Sequence, residues 1–582
     1  MLMEGDIIKQ QLCPASFSPR LPCVCLTHKL RRAMLRLCSR KSFVVVGLVA
    51  IYFSASRLSP LSLRQYLSRF PAQKSSIMAG TVDVLNADVA LLRSKLQSGE
   101  LQSVDLVAAY LKQINKHNAD GAGLKALISV APEETVLSQA RHLDEERKTK
   151  GTRGPFHGIP IIVKDTMLTE ASLGMDTTCG TLGLIGAKGR KNADVVELLL
   201  KAGMIILGKA NLSELNLFKA SPPNTAGWSS AGGQCSSPYV EGGVLPNATF
   251  LGHSTPAGSS SGSAAAVAAG FAPIALGAET DGSLVQPTSR AGLYALKPTP
   301  GTVSVKGVLA LPTYDAIGPI ARTAKDVADM LTLLTGTNLS HESKISWDGL
   351  RVGFVDYDIW APATFVVEPV ESFTSQTKAD IEAVAAKISS LGGKVVRDVP
   401  LPPFGQLTEI IEQKHNVNPD DLWGYGFRDE FDAFVSLYET SQIRSLAELV
   451  QFNKDHADRC LPADHPSQAF LETALEEKAD PEIDTKVAKV KKTAQALIDE
   501  VLAKYEVDVI LAQSDGRMAS VAAAAGYSVA ALPVGYADFN GRAWGVNAIA
   551  GADGESKLLD LMSAWEATFP EARKAPPKLM EE

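Results

Sequence analysis

Residues 256–297, PAGSSSGSAAAVAAGFAPIALGAETDGSLVQPTSRAGLYALK, contain two Ser/Gly clusters on either side of a short apolar segment. The small residues at 263–269 predict a helix that ends at Gly270. Residues 274–276 predict a short buried strand. The cluster at 258–262 therefore opens a helix, and the cluster at 280–283 follows a strand. Free backbone N–H groups at both places suit a developing negative charge.

A third element lies upstream, where the apolar run at 158–165, GIPIIVKD, predicts a strand that ends at Lys164. Taken singly, each element has an ordinary explanation, because Ser/Gly clusters make turns and a lysine at a strand end is usually solvated. The combination is more specific. Ser259 and Ser283 stand 24 positions apart, each in a Ser/Gly cluster, and the strand with its terminal lysine precedes both.

Together these three elements resemble the amidase signature family of serine hydrolases. The resemblance is close over residues 85–340 and looser over the rest of the C-terminal half. It implies an α/β fold, namely an α/β/α sandwich with a large mixed central β-sheet in one catalytic domain. It also implies hydrolysis of a carbon–nitrogen bond in a carboxamide. Independently of the resemblance, strands that alternate with helices along the chain favour a layered α/β structure.

By position, the resemblance assigns three catalytic residues. Ser283 is the nucleophile, Ser259, which follows a cis peptide bond from Gly258, is the bridge, and Lys164 is the base. Lys164 has to be neutral to accept a proton, which requires burial or nearby positive potential to lower its pKa. Water would then clear an acyl ester from Ser283. The oxyanion hole is expected from the backbone N–H groups of Thr280, Asp281, Gly282 and Ser283.

Around this expected oxyanion hole the sequence departs from the family pattern. Asp281 stands where the family usually has glycine, Glu279 where it has aspartate, Val285 where arginine is common, and Ser261 where glycine is common. An acidic side chain beside an oxyanion site is unhelpful unless it points away. Because the three catalytic residues are intact, we interpret the departures as marks of a divergent subgroup.

Other catalytic groups are less favoured by the sequence. Neither His157 nor His253 stands in a recognised Ser–His–Asp pattern, although both lie near the catalytic elements. No Cys/His pairs occur at zinc spacing, and no phosphate-binding glycine loop precedes a Lys-Ser/Thr pair. We therefore expect neither a metal nor an organic cofactor. Residues 211–213 form a glycosylation sequon, but their place after a predicted core strand argues against a glycan.

The first 77 residues differ from the rest of the chain. No acidic residue occurs between Asp6 and Asp83, basic residues are frequent, and residues 43–54 are largely apolar. Three interpretations stay open: a signal peptide or anchor, a mitochondrial presequence, and an extension upstream of a working start at Met78. We divide the chain into this leader, 1–77, and a catalytic domain, 78–582. The protein would be cytoplasmic if translation starts at Met78, and otherwise mitochondrial or membrane-anchored through residues 43–54.

In the C-terminal half, the pattern predicts a helix at 483–505, a strand at 507–511, the last well-patterned strand at 529–534 and a closing helix at 557–567. We expect the tail from Pro570 to fray. Aromatic residues between 407 and 481 belong more often to a core than to a pocket. The long loop at 221–254 is either a tolerated insertion or a loop that takes part in substrate entry.

Composition narrows the function classes. The sequence is 45% hydrophobic and 21% charged, which is typical of a globular protein, and its net charge of −7 argues against a nucleic-acid-binding surface.

The favoured function is an amidase that acts on a small-molecule amide, with the oligomeric state open. The alternatives are a glutaminase-type subunit of a tRNA-dependent amidotransferase, a membrane-associated enzyme like fatty acid amide hydrolase, and a membrane-tethered scaffold without catalysis. The missing arginine and the long loop argue against the glutaminase, and the intact catalytic residues argue against the scaffold.

Overall fold

The computed structural model describes residues 82–219, 224–246, 248–339 and 345–580. The leader expected at 1–77, with its apolar run at 43–54, lies outside the described residues, so the division of the chain at residue 78 stays a prediction. Within those four ranges, no helix is long and apolar enough to cross a membrane.

An eleven-stranded mixed β-sheet organises this part of the chain. All the strands, in chain order, are β1 (Leu127–Val130), β2 (Pro160–Lys164), β3 (Lys188–Gly189), β4 (Ile205–Ala210), β5 (Trp228–Ser229), β6 (Gly233–Gln234), β7 (Ile274–Glu279), β8 (Tyr294–Lys297), β9 (Ala316–Ala321), β10 (Arg351–Val355), β11 (Lys394–Val399), β12 (Tyr438–Thr440), β13 (Val509–Gln513), β14 (Val529–Tyr536) and β15 (Ala543–Ile549). In space the large sheet runs β1-β4-β2-β7-β9-β8-β14-β15-β13-β10-β11, and β12–β3 and β5–β6 form separate two-stranded pairs.

Helices surround this sheet, as the predicted α/β class requires. They are α1 (Val89–Ser98), α2 (Ser103–His117), α3 (Glu133–Lys150), α4 (Asp194–Lys201), α5 (Ser261–Ala268), α6 (Val285–Arg290), α7 (Ala324–Thr335), α8 (Glu371–Ser390), α9 (Phe404–His415), α10 (Pro419–Leu422), α11 (Phe427–Val435), α12 (Leu446–Asp455), α13 (Ala457–Cys460), α14 (Ala469–Glu476), α15 (Ile483–Lys504), α16 (Met518–Ala525) and α17 (Glu555–Thr568). The predicted fold class, an α/β sandwich built on a large mixed sheet, is confirmed.

Small residues let helix α5 lie inside the molecule. Every residue of α5 is buried. A Cβ atom on Gly262 would stand 2.3 Å from the Asn211 carbonyl oxygen and 2.4 Å from that of Ala126. Since side chains at such positions would have to displace backbone, the Ser/Gly/Ala composition of this helix follows from its close approach to β1 and to the end of β4.

The direction of the strands brings three separate pieces of sequence to one edge of the sheet. Strands β4, β2 and β7 are parallel neighbours, so their carboxyl ends lie together. Strand β8 runs the same way, because both β7 and β8 pair antiparallel to β9. Lys164 ends β2, Lys297 ends β8, and the 280–283 cluster follows β7 directly. This edge holds the candidate site.

Two predictions for the C-terminal part are wrong. Strand β14 is not the last strand, because β15 follows it and pairs with both β14 and β13. The tail from Pro570 is anchored rather than frayed. Its Lys574 carbonyl accepts a hydrogen bond from the Tyr239 hydroxyl at 2.8 Å, and Lys578 Nζ donates to the Ser237 carbonyl at 2.9 Å. The aromatic residues expected in the core do lie there, among them Trp423, Phe427, Phe431 and Phe434.

Candidate active site

Lys164 is fully buried at the carboxyl end of β2. Its Nζ donates to Ser259 Oγ at 2.6 Å and to the Ala278 carbonyl at 3.1 Å. Burial lowers the pKa of this amine from 10.5 to about 7, although the carboxylates of Asp315 and Glu279 act in the opposite direction. A substantial fraction of Lys164 is therefore neutral near pH 7, as a base has to be.

Buried lysines also end or nearly end two other strands at this edge. Lys209 of β4 forms an ion pair with Asp165 at 3.3 Å, and Lys297 donates to the Thr280 carbonyl at 2.7 Å. Burial lowers the pKa of each. Among the residues that the structure describes, Lys164 has no ion-pair partner and hydrogen-bonds only a hydroxyl and a carbonyl. Lys209 contacts the Thr177 hydroxyl but is ion-paired, and Lys297 donates to a carbonyl, so of these three lysines Lys164 is the one in contact with a serine hydroxyl.

The backbone around Ser259 is fixed by a second serine. Ser213 donates from its amide to the Ser259 carbonyl at 3.3 Å and from its hydroxyl to the Gly258 carbonyl at 3.1 Å. Gly258 has a φ of +47°, and a Cβ atom there would stand 2.4 Å from Pro287 Cδ. Glycine is therefore required at this position, both for its conformation and for space.

Ser283 lies next to the Ser259 segment and carries a free hydroxyl. The Ser260 amide donates to the Ser283 carbonyl at 2.8 Å, which joins the two Ser/Gly clusters. The Ser283 side chain forms no hydrogen bond with any other described residue, and the residue keeps 7% of its surface exposed. Lys164 and Ser259 are thus in direct contact, whereas no hydrogen bond joins the hydroxyls of Ser259 and Ser283.

The loop between β7 and α6 presents unused amides. The Thr280 hydroxyl donates to the Asp315 carboxylate, and the Gly282 carbonyl accepts from the Gln286 amide at 3.0 Å. Within the described part of the chain, no acceptor is hydrogen-bonded by the backbone N–H groups of Thr280, Asp281, Gly282 and Ser283. The loop is therefore held by its carbonyl and side-chain contacts while its amides stay available for an anion.

Two of the departures from the family pattern, Glu279 and Asp281, have structural explanations. Glu279 is buried, and its Oε2 accepts hydrogen bonds from the backbone amides of Leu284 at 2.7 Å and Val285 at 2.8 Å. Its carboxylate therefore pairs with backbone N–H groups that have no partner within the first turn of α6. Val285 is itself buried in the core, and Ser261 is the first residue of α5. The Asp281 carboxylate lies 3.3 Å from Nη2 of Arg517. It therefore points toward a cation.

The two histidines considered in the sequence have structural contacts. His157 Nε2 lies 2.9 Å from the Leu143 carbonyl, and His253 Nε2 lies 2.9 Å from the Glu368 carbonyl. The side chain of Asn211, from the sequon, is buried, with its Nδ2 donating to the Lys125 carbonyl at 2.8 Å. That burial leaves no room for a glycan.

Three features of the site were missed from the sequence. Lys209 and Lys297 are indicated by the same signal as Lys164, since each lies at or near the end of an apolar strand. Arg517 has no such signal, because it stands 236 residues from Asp281 in the chain. Among the described residues, no group of three or more His, Cys, Asp or Glu side chains is arranged to hold a metal ion.

Comparisons with known proteins identify the family. The sequence model of the Amidase family matches residues 105–512. This chain belongs to the amidase family and is an amidohydrolase, as the resemblance implied.

Amidases and an amidotransferase subunit are among the proteins similar to this chain. A probable amidase of Arabidopsis thaliana is 29% identical over 539 residues, which cover 90% of this chain and 98% of that protein. A glutamyl-tRNA(Gln) amidotransferase subunit from Symbiobacterium thermophilum is 36% identical over 360 residues, covering 58% of this chain and 67% of that protein. The structure of native peptide amidase from Stenotrophomonas maltophilia matches with a TM-score of 0.71 at 31% identity, over 85% of this chain and 99% of that one.

Proposed function

We propose that this amidase hydrolyses a small carboxamide through an acyl ester on Ser283, with Lys164 as the base and Ser259 as the bridge. The observation that carries the proposal is the 2.6 Å hydrogen bond between Lys164 Nζ and Ser259 Oγ, made by a fully buried amine. A buried amine with a pKa of about 7 can take up and return a proton in neutral solution.

The proton moves through the two serines in the first half of the reaction. Neutral Lys164 takes the proton of Ser259, while Ser259 takes that of Ser283, and Ser283 Oγ attacks the carbonyl carbon of the amide. Substrate binding has to bring the two hydroxyls within hydrogen-bonding distance, since catalytic hydrogen bonds often tighten only in the complex. The negative charge that develops on the carbonyl oxygen is stabilised by the free amides of residues 280–283.

The second half returns the proton and clears the enzyme. As the carbon–nitrogen bond breaks, the leaving nitrogen receives a proton from Lys164 by the same path, and the acyl group stays on Ser283. A water molecule then attacks the ester carbon and gives its proton to the relay. The acid leaves, and Ser283 regains its hydrogen.

Peptide amides are the first substrate class to test, because the likeness to peptide amidase extends over nearly all of that chain. A glutaminase role in tRNA-dependent amidation is the second candidate. It is favoured by the 36% identity to the amidotransferase protein of Symbiobacterium thermophilum, although that match covers 58% of this chain. A screen of peptide amides, free glutamine and long-chain acyl amides separates these roles.

Labelling with a fluorophosphonate probe, followed by mass spectrometry, tests the mechanism. We expect the wild-type protein to be labelled at Ser283, Ser283→Ala not to be labelled, and Lys164→Met to be labelled at least about a hundredfold more slowly. Ser372→Ala, at an exposed serine of α8, is the matched control and should label like wild type. Labelling of folded wild-type protein at a serine other than Ser283 would refute the proposal.

A further inference from the structure

Two ion pairs of opposite polarity join the segment that follows β7 to the segment that follows β13. Arg290, at the end of α6, donates to Asp515 at 3.0 Å. In the other direction, Arg517 donates to Asp281 at 3.3 Å. Each segment therefore contributes one cation and one anion. Asp281, the anion of the second pair, belongs to the loop at 280–283, whose backbone amides are free.

Arg517 is held firmly in this place. It adopts a φ of +63° between the turn Ser514–Gly516 and helix α16. Its Nε donates to Ser520 Oγ at 2.9 Å, and its guanidinium lies 4.3 Å from the centre of the Phe404 ring. These contacts fix the guanidinium before any substrate arrives.

The turn before Arg517 is anchored as well. Asp515 is buried and paired with a second buried arginine, Arg542, at 2.9 Å. A Cβ atom on Gly516 would stand 2.7 Å from the Trp360 carbonyl oxygen, so the turn packs closely against its neighbour. The position of Arg517 is therefore set by the fold and not by its own ion pairs alone.

An unpaired carboxylate at Asp281 would harm an oxyanion hole in two ways. Aspartate side chains readily accept hydrogen bonds from the amide two residues on, which here belongs to Ser283. Such a bond would occupy a donor that the oxyanion needs. The negative charge would also repel the negative charge of the tetrahedral intermediate.

We propose that Arg517 is a positioning residue for amide hydrolysis, which holds the Asp281 carboxylate away from the amides of residues 280–283 and neutralises its charge. The inference rests on the proposed function, because it requires those amides to bind the oxyanion. Arg517 acts through Asp281 and does not touch the reacting atoms.

A double-mutant cycle tests the inference. Arg517→Gln should lower kcat about tenfold and leave KM within about threefold, since the loss falls on the transition state. In the Asp281→Asn background the same substitution should cost less than about threefold, because the harmful charge is gone. Added salt should restore part of the kcat of Arg517→Gln by screening the charge.

Asp420 provides the matched control. It also lies near Arg517, at 3.6 Å, but half of its side chain is exposed, so this contact contributes little. Asp420→Asn should change kcat less than about twofold.

Three results would overturn the inference. One is an equal loss from Arg517→Gln with and without Asp281→Asn. Another is a loss confined to KM for anionic substrates, which would make Arg517 a substrate ligand. The third is an absence of Ser283 labelling in the wild-type protein, which would remove the proposed function as well. If wild-type Ser283 is labelled and the cycle shows no coupling, only the role of Arg517 fails.

Discussion

Lowering the pH of the assay from 8 to 5 should protonate Lys164 and stop the reaction. The amine has a pKa of about 7 in the folded protein instead of 10.5. At pH 7 this makes the neutral form about a thousandfold more abundant than it is for a solvated lysine. Because only the neutral amine accepts a proton, kcat/KM should rise with pH, with a midpoint near 7, and fall about tenfold for each pH unit below it.

The assay measures kcat/KM on one carboxamide from pH 5 to 9 at constant ionic strength. Glu279→Gln should move the midpoint below that of the wild-type enzyme, since the Glu279 carboxylate raises the pKa of Lys164. A glutamine keeps an oxygen for the Leu284 and Val285 amides. Glu371→Gln, at an exposed residue of α8, should leave the midpoint unchanged.

Two results would contradict this reasoning. A rate that stays flat from pH 5 to 8 would mean that no group with a pKa near 7 has to lose a proton. A kcat/KM that still rises about tenfold for each pH unit at pH 9 would mean that the essential amine is solvated, with its ordinary pKa, and the buried Lys164 would then not be the base.

Three further changes test the fold around the site. Gly258→Ala should abolish activity, because its Cβ atom would stand 2.4 Å from Pro287. Gly405→Ala is the control and should remain active, because no atom lies within 4 Å of its Cβ position. Tm and kcat are measured for each of the two variants. Asp515→Asn should lower the free energy of unfolding by about 3–5 kcal/mol in a urea titration, because it leaves two buried arginines unpaired. Thr323→Ala should cost about 1 kcal/mol in the same titration, since it removes the hydroxyl that caps α7.

The sequence predicts the sheet edge well because its signal is local. The run of small residues before Gly270 marks α5, and the apolar runs mark β2 and β7 together with the lysine that ends β2. Parallel strands then place Lys164 near the 280–283 loop without any further information. The ends of the strands are less certain, and β7 extends to Glu279, three residues beyond its apolar core.

Strand β15 was missed because its pattern is broken by residues that serve long-range contacts. Gly545 leaves room for the Leu532 carbonyl, which lies 2.3 Å from where its Cβ would be. Asn547 is buried and accepts a hydrogen bond from the Ser514 hydroxyl at 3.1 Å. Both residues weaken a strand prediction, yet each fits its neighbours in the folded sheet.

Contacts between distant parts of the chain explain the remaining differences. The tail is held by Tyr239, whose hydroxyl reaches the Lys574 carbonyl across 335 residues of sequence. Arg517 likewise reaches Asp281 only because the two halves of the sheet meet. No local pattern carries such pairings, since loop closure over these lengths depends on the whole topology.

The order of the strands also determines when a newly made chain can become active. Strands β14 and β15 are made last, but they lie in the middle of the sheet and join β8 to β13. Roughly 230 residues separate β8 from β14, which a ribosome needs about 10–50 s to add. For most of that time the nascent protein holds the half-sheet β1-β4-β2-β7-β9-β8 with an open edge at β8, because β13, which completes the other half, is made only shortly before β14. Such an open edge invites aggregation and would benefit from a chaperone. Because β15 closes the sheet between β14 and β13, a ribosome that stops before residue 543 should release an inactive product.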